Sequence, residues 1–175
     1  MTDADIRFYF DPVCPFAWMT SKWVRMVAAQ RDYTIDWRFI SLRMINSGID
    51  YDSHFPAGYE EGHTSGLRLL RVAARAPAEH GWAAVGHFYQ GGQQRDLRLA
   101  RCRLADARHR GQPGLRRAAA RQGSPAVSLA DALDDTRWDE GIRAEGDEAL
   151  APTGRDVGTH FIQFGPRPAA PSSAQ

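Results

Sequence analysis

The sequence predicts an α/β fold that opens with a β-α-β unit, continues through a helical middle and ends on a returning strand. Three features carry that expectation. They are an apolar and aromatic run over residues 6–10, helical spacing of apolar residues from Pro15 onward, and strict alternation from Tyr33 to Phe39. At 175 residues the chain has the length of one compact domain that carries an elaboration.

The first run, Ile6 to Phe10, closes on Asp11-Pro12, as a short buried strand closed by a turn would. Pro15 suits a first helical turn, and Phe16, Met19, Trp23, Met26 and Val27 then recur at helical spacing. This pattern assigns Trp23 to the core and leaves Trp18, five positions earlier, to rim the turn before the helix. In the next run Tyr33, Ile35, Trp37 and Phe39 alternate with polar residues, a half-buried strand. Residues 51–56 read as a loop. Leu67, Leu70, Ala73 and Ala74 mark a helix that Pro77 should end or kink, and His80-Gly81 is a further helix-end signal. Trp82, Val85, Phe88 and Tyr89 open another helix. Ser128 with Asp131 resembles a capping pair, and a helical segment beginning at Thr136 carries Trp138, Ile142 and Leu150 as far as Pro152. Residues 157–164 read as a strand, and the Pro- and Ser-rich residues 165–175 as a disordered tail. The expected organisation is a β-α-β front over residues 1–50, a helical insertion over 51–152 and a returning strand over 153–164.

Composition excludes several functional classes. Apolar residues make up 43% and charged residues 25%, which is globular usage with enough apolar area for a core. No run approaches a membrane span, and the acidic start Met1-Thr2-Asp3-Ala4-Asp5 does not have the form of a secretory signal, so a cytoplasmic protein is expected. Two cysteines, Cys14 and Cys102, are too few for a disulfide framework, and free thiols follow. His54, His63, His80 and His87 lack the close pairs of a metal signature, so no metal is expected. His63 and Arg68 are placed to touch an anionic substrate or to serve as ordinary surface polar residues.

Cys14 is the residue on which function turns. It lies where the first strand passes into the first helix. Unpaired backbone N–H groups and the positive end of the helix dipole favour a thiolate there, and the thiolate is the nucleophile. The competing role is that of a small buried hydrophobe, the usual fate of a lone cysteine.

The stretch Phe8-Tyr9-Phe10-Asp11-Pro12-Val13-Cys14-Pro15-Phe16-Ala17-Trp18 resembles the active-site opening of the DsbA-like branch of the thioredoxin superfamily. Within that branch it is similar to the actinobacterial mycothiol-dependent nitroreductases, whose pattern is Asp-Pro-x-Cys-Pro-Trp-Cys-Trp between strand and helix. Ser41-Leu42 and Asn46 match the pair and the asparagine after the family's second strand, and Thr20-Ser21-Lys22-Trp23 follows its helix. The resemblance covers residues 6 to about 90 and returns over 126–164. It implies a thioredoxin-like (DsbA-like) sheet with a helical insertion and a thiol-dependent oxidoreductase. Mycothiol or glutathione would be the co-substrate alongside a small-molecule substrate. It further implies that Cys14 is catalytic, that Phe16 and Trp18 wall the site, that Asn46 and Tyr59 bind substrate, and that Thr159 and His160 form the loop opposite. A homodimer is compatible with it.

The sequence departs from that pattern in three ways. Ala17 stands where dithiol enzymes carry the resolving cysteine, which leaves monothiol chemistry. The kappa-class glutathione transferases and hydroxychromene-carboxylate isomerases use one active residue on this fold, so an enzyme of that kind is an alternative. A truncated, non-catalytic relative that only binds a partner is another. His160 stands where the family places a cis-proline; a non-proline cis bond costs about 2.5 to 4 kcal/mol, so a trans bond and a reshaped loop are expected there. A His160 base acting on Cys14 is a sharper form of the same reading. Finally, residues 165–175 cannot supply the closing strand and helix of the fold, so an open sheet edge, an uncovered apolar face and low stability of the isolated chain are expected.

Residues 91–123 hold nine arginines and two aspartates, a net of +7, which leaves −6 on the remaining residues. The stretch has no Val, Ile, Phe, Trp or Tyr and cannot build a core. A nucleic-acid arm would use Arg108, Arg110, Arg116 and Arg117, but no aromatic residue is present for base stacking, so nucleic acid is not the expected partner. Arg, Ala, Gly and Pro are also what GC-rich codons yield out of frame. A frame alteration of this stretch and of the tail is therefore the preferred origin, and Cys102 inside it is assigned no chemistry.

Overall fold

The computed structural model of the chain describes residues 4–91, 131–154 and 161–165. Its elements are β1 (Ile6–Phe10), α1 (Pro15–Arg31), β2 (Ile35–Phe39), α2 (Leu42–Ile45), α3 (Tyr51–His54), α4 (Tyr59–His80) and α5 (Ala83–Gly91). Two 3-10 turns follow, Asp131–Asp134 and Thr136–Trp138, then α6 (Asp139–Leu150) and β3 (Phe161–Phe164). The strands form one sheet of order β2-β1-β3. β1 runs parallel to β2, with Ile6 opposite Ile35 and Phe10 opposite Phe39, and antiparallel to β3, with Tyr9 opposite Phe161. This mixed α/β architecture is the thioredoxin-like class that the sequence predicts.

Alternation along the central strand divides the core between the two sides of the sheet. Ile6, Phe8 and Phe10 pack with Trp37 and Phe39 against Ala17 and Val24 of α1, Leu67 and Leu70 of α4, and Val85 and Tyr89 of α5. Tyr9 points the other way and packs with Ile40 against Ala149 and Leu150 of α6. Glu145 of α6 reaches the outer side of β2, where one carboxylate oxygen accepts from the Phe39 N–H at 2.7 Å. That strand edge is thereby blunted by a side chain.

The first helix corrects the sequence reading. Its buried residues are Ala17, Ser21, Val24 and Ala28, whereas Phe16, Met19, Trp23 and Met26 are exposed at 69, 62, 48 and 54%. Trp23 is therefore not core. The space above the sheet is already filled by Phe10, Trp37 and Tyr89, whose rings lie within about 6 Å of one another. Only a face of small side chains lets the helix approach that layer. Arg25 joins it, its guanidinium 4.0 Å from the Trp37 ring centroid and its Nη2 donating to the Gly86 carbonyl at 2.7 Å. Trp23→Gln is accordingly expected to change the unfolding free energy by less than about 0.5 kcal/mol, while Val24→Ala costs about 2 kcal/mol. Urea denaturation of the two variants checks this, and a larger loss at Trp23 would place that side chain in the core after all.

Three further expectations change. Residues 51–54 form a helical turn, not a loop, because the Asp50 carboxylate caps it through the Asp52 N–H at 3.3 Å. α4 begins eight residues before Leu67, at Tyr59, after Gly58 with φ +88°. It also runs through Pro77 to His80, because a proline in the last turn removes only one backbone bond. The helix end at Gly81 and the helix that follows stand as predicted. Thr136 opens a 3-10 turn that leads into α6. β3 spans Phe161–Phe164, and the expectations for residues 91–123, for the Ser128 cap, for 157–160 and for the tail lie outside the described residues, Gly91 and Gly165 excepted. Among the described residues no helix is long and apolar enough to cross a membrane, and no group of three His, Cys, Asp or Glu could hold a metal ion.

Candidate active site

Cys14 is the N-cap of α1. Its backbone is extended, with φ −77° and ψ 114°, and Pro15 follows at the first helical position, where a missing N–H costs no helix bond. The sulfur takes up one of the orphan donors of the helix start: Sγ accepts from the Ala17 N–H at 3.4 Å. The cysteine N–H donates to the Asp11 carbonyl at 3.0 Å, which closes the turn from β1. Cys14 is 5% exposed and joins the apolar core. The polar cap agrees with the nucleophile expected at this position. The burial is the feature that a lone structural cysteine would also show.

Asp11 organises the turn, and its role was missed in the sequence, where it read only as a strand terminator. Its carboxylate is fully buried; Oδ1 accepts from the Val13 N–H at 2.9 Å and Oδ2 from the Leu42 N–H at 2.8 Å. One side chain thus bolts the cysteine turn to the start of α2. Burial raises its pKa to about 6, against the pull of those two N–H donors. α4 crosses directly above at Gly66, where a Cβ would meet Asp11 Oδ1 at 2.5 Å and Val13 Cγ2 at 2.7 Å.

Aromatic residues surround the turn. Tyr89 of α5 is buried, stacks on Phe10 at 3.9 Å between centroids and meets the Trp18 ring edge-on at 5.9 Å. Its phenol is held above the usual range, chiefly by burial and then by the neighbouring Asp11 carboxylate. Trp18 is half-buried with Lys22 Nζ 4.9 Å from its ring centre. Phe16, on the outer side of the first helical turn, is largely exposed.

The other sequence candidates meet in a second cluster. Asn46 is the C-cap of α2, its N–H donating to the Leu42 and Met44 carbonyls. Tyr59 opens α4, stacked on Phe55 at 5.6 Å and edge-on to His63 at 5.8 Å. Against Phe55 and Tyr59 lies a buried pair, Tyr51 at 7% and His63 at 8% exposure, with Tyr51 Oη 3.0 Å from His63 Nδ1. Burial and the nearby Arg43 lower the His63 pKa. The surface-polar role open to His63 in the sequence is therefore replaced by a core one. The four-residue spacing of Tyr51, Phe55, Tyr59 and His63 was the available signal for this cluster. Thr159 and His160 lie outside the described residues, as does Cys102. The two clusters are joined through Asp11, which holds the Leu42 N–H at the head of α2, and through α4, which carries His63 one turn before Gly66.

Comparison with known proteins adds two findings. The chain matches the family described as "Mycothiol-dependent nitroreductase Rv2466c" over residues 13–167. It is also 34% identical over 178 residues to a protein of Mycobacterium tuberculosis (strain ATCC 25618 / H37Rv) named "Uncharacterized protein Rv2286c", an alignment that covers 95% of this chain and 68% of that protein.

Proposed function

This chain belongs to the Rv2466c-like family of mycothiol-dependent nitroreductases, and on that premise we propose that it is a monothiol oxidoreductase whose exchange chemistry rests on Cys14 alone. The observation that carries the reading is the capping bond from the Ala17 N–H to Sγ. A sulfur at a helix start that accepts an amide hydrogen has the geometry used by nucleophilic thiolates. The residue supplying that N–H is an alanine, so no neighbouring thiol releases a mixed disulfide and a second small thiol does so. With a nitroarene as oxidant, Cys14 and one small thiol lose two electrons and two protons to form the mixed disulfide, and the nitro group leaves as nitroso plus water. A second small thiol then attacks the mixed disulfide, restoring Cys14 and departing as the symmetric disulfide. Trp18 and Tyr89 form the aromatic wall of this site, Phe16 its outer lip, and Asn46 and Tyr59 bind the substrate.

The 5% exposure of Cys14 favours one other reading, a family member that has kept the fold and binds a partner without turnover. Intact-protein mass spectrometry after incubation with oxidised mycothiol separates the two. The expected result is a single adduct on Cys14 that persists in Cys102→Ser, disappears in Cys14→Ser and is released by reduced mycothiol. A chain that stays unmodified under conditions that label free cysteine overturns the enzymatic reading.

A further inference from the structure

The outer side of α1 carries an apolar stripe that the thiol chemistry uses only at its Phe16 end. Phe16, Met19, Trp23 and Met26 lie at helical spacing and are 69, 62, 48 and 54% exposed. Thr20, Val27 and Gln30 fill the same side, so no charge interrupts it from residue 16 to residue 30. Lys22 borders the stripe but lies over its own Trp18 ring, with Nζ 4.9 Å from the ring centre. At those exposures the four side chains leave roughly 400 Å² of apolar surface. That is as large as the biggest patch of an ordinary monomer and about half of one partner's share in a standard interface. The stripe is also its own complement. When two copies of α1 run antiparallel and cross level with residue 21, Met19 of each copy faces Trp23 of the other, and Phe16 faces Met26. Each aromatic ring then meets a methionine sulfur, a favourable contact, and a face without charges leaves no ion unpaired when it meets itself.

We infer that the outer face of α1 is the seam of a symmetric homodimer, in which the second copy's Met26 covers Phe16 beside the Cys14 turn. The two-fold axis repeats that contact, so each copy shields the Phe16 of the other. The two Cys14 turns stand at opposite ends of the seam, on the order of 20 Å apart along it at 1.5 Å per residue, and neither thiol reaches the other. Such a dimer is read from mass and cross-linking, so it stands or falls independently of whether Cys14 turns over a substrate.

Sedimentation of the full chain tests the seam. The expected mass is twice the 19.5 kDa of one chain well above a roughly micromolar dissociation constant, and one chain mass well below it. Trp23→Gln is expected to weaken association at least roughly tenfold, while its unfolding in dilute solution stays that of the wild type. The melting temperature of the wild type therefore rises with chain concentration, and that of the variant does not. The register is tested by cross-linking in a Cys14→Ser, Cys102→Ser background. Met19→Cys and Trp23→Cys chains are expected to form a disulfide when mixed and at least roughly tenfold less when either is alone, because unlike positions lie level and like positions about 6 Å apart along the seam. A chain that stays at one chain mass up to about 100-fold above that dissociation constant overturns the inference, as does a mass that grows without limit. A dimer that survives Trp23→Gln, or that cross-links equally alone and mixed, overturns it as well.

Discussion

Gly66→Ala is expected to cost about 2 kcal/mol of unfolding free energy and to perturb Cys14 with it, although alanine is the better helix former by about 1 kcal/mol. The added methyl meets Asp11 Oδ1 at 2.5 Å and Val13 Cγ2 at 2.7 Å. The carboxylate cannot swing aside, because each of its oxygens is held by a backbone N–H. Either α4 lifts off the sheet or the cysteine turn shifts, and both break the geometry that places Sγ on the Ala17 N–H. Gly62, one turn earlier on the same helix, is the internal control: a Cβ there meets nothing within 4 Å, so Gly62→Ala is expected to gain about 1 kcal/mol. Paired urea denaturations with iodoacetamide labelling of Cys14 check the contrast. Equal stability changes at the two glycines would show that the close approach over Asp11 does not exist.

The second large effect is on the pH dependence of stability. The Asp11 carboxyl is raised from 3.8 to about 6, chiefly by burial. A raised acid favours the folded state most when protonated. Its contribution is therefore fully present below pH 3.8 and is lost as the pH rises through about 6, a change of about 3 kcal/mol. Glu145, raised from 4.5 to about 7 by burial and pulled back by the Phe39 N–H and Arg38, gives a decline of the same sign between about pH 4.5 and 7. The chain is thus expected to be more stable at pH 5 than at pH 8, with the slope concentrated between pH 4 and 7. Asp11→Asn should remove the acid-side part of that slope and leave the Glu145 part. It should also be less stable at low pH, because its NH2 group faces the N–H of Val13 or Leu42 where an oxygen accepted. Denaturation midpoints measured from pH 4 to 8 decide the matter, and identical slopes for the two proteins would mean that Asp11 does not titrate in this range.

These effects pass through residues whose roles are not visible in local patterns. Cys14 was legible because its signal is local: a strand run, Asp-Pro, cysteine, proline and an apolar helix follow one another along the chain. Asp11 was read only as punctuation, since its two partners are Val13, two residues away, and Leu42, thirty-one residues away. The aromatic cluster around His63 was within reach of the four-residue periodicity, but only its packing makes His63 a core residue. The Trp23 assignment failed because periodicity locates a stripe of large apolar side chains and cannot tell whether the neighbouring layer has room for it. The sheet chose the stripe of small residues instead.

What the linear chain determined by itself was the order of elements, the membership of the β-α-β front and the place of the cysteine at a helix start, because backbone propensity, proline placement and period-two alternation act over a few residues. What tertiary structure alone decided was which side of α1 faces inward, that a buried carboxylate fastens the cysteine turn to α2 beneath Gly66, and that Tyr51 and His63 meet in the core. The reason is common to all three. Packing at crystal-like density and the pairing of every buried polar group are conditions on atoms brought together from distant parts of the chain, and they are met only when the layers close.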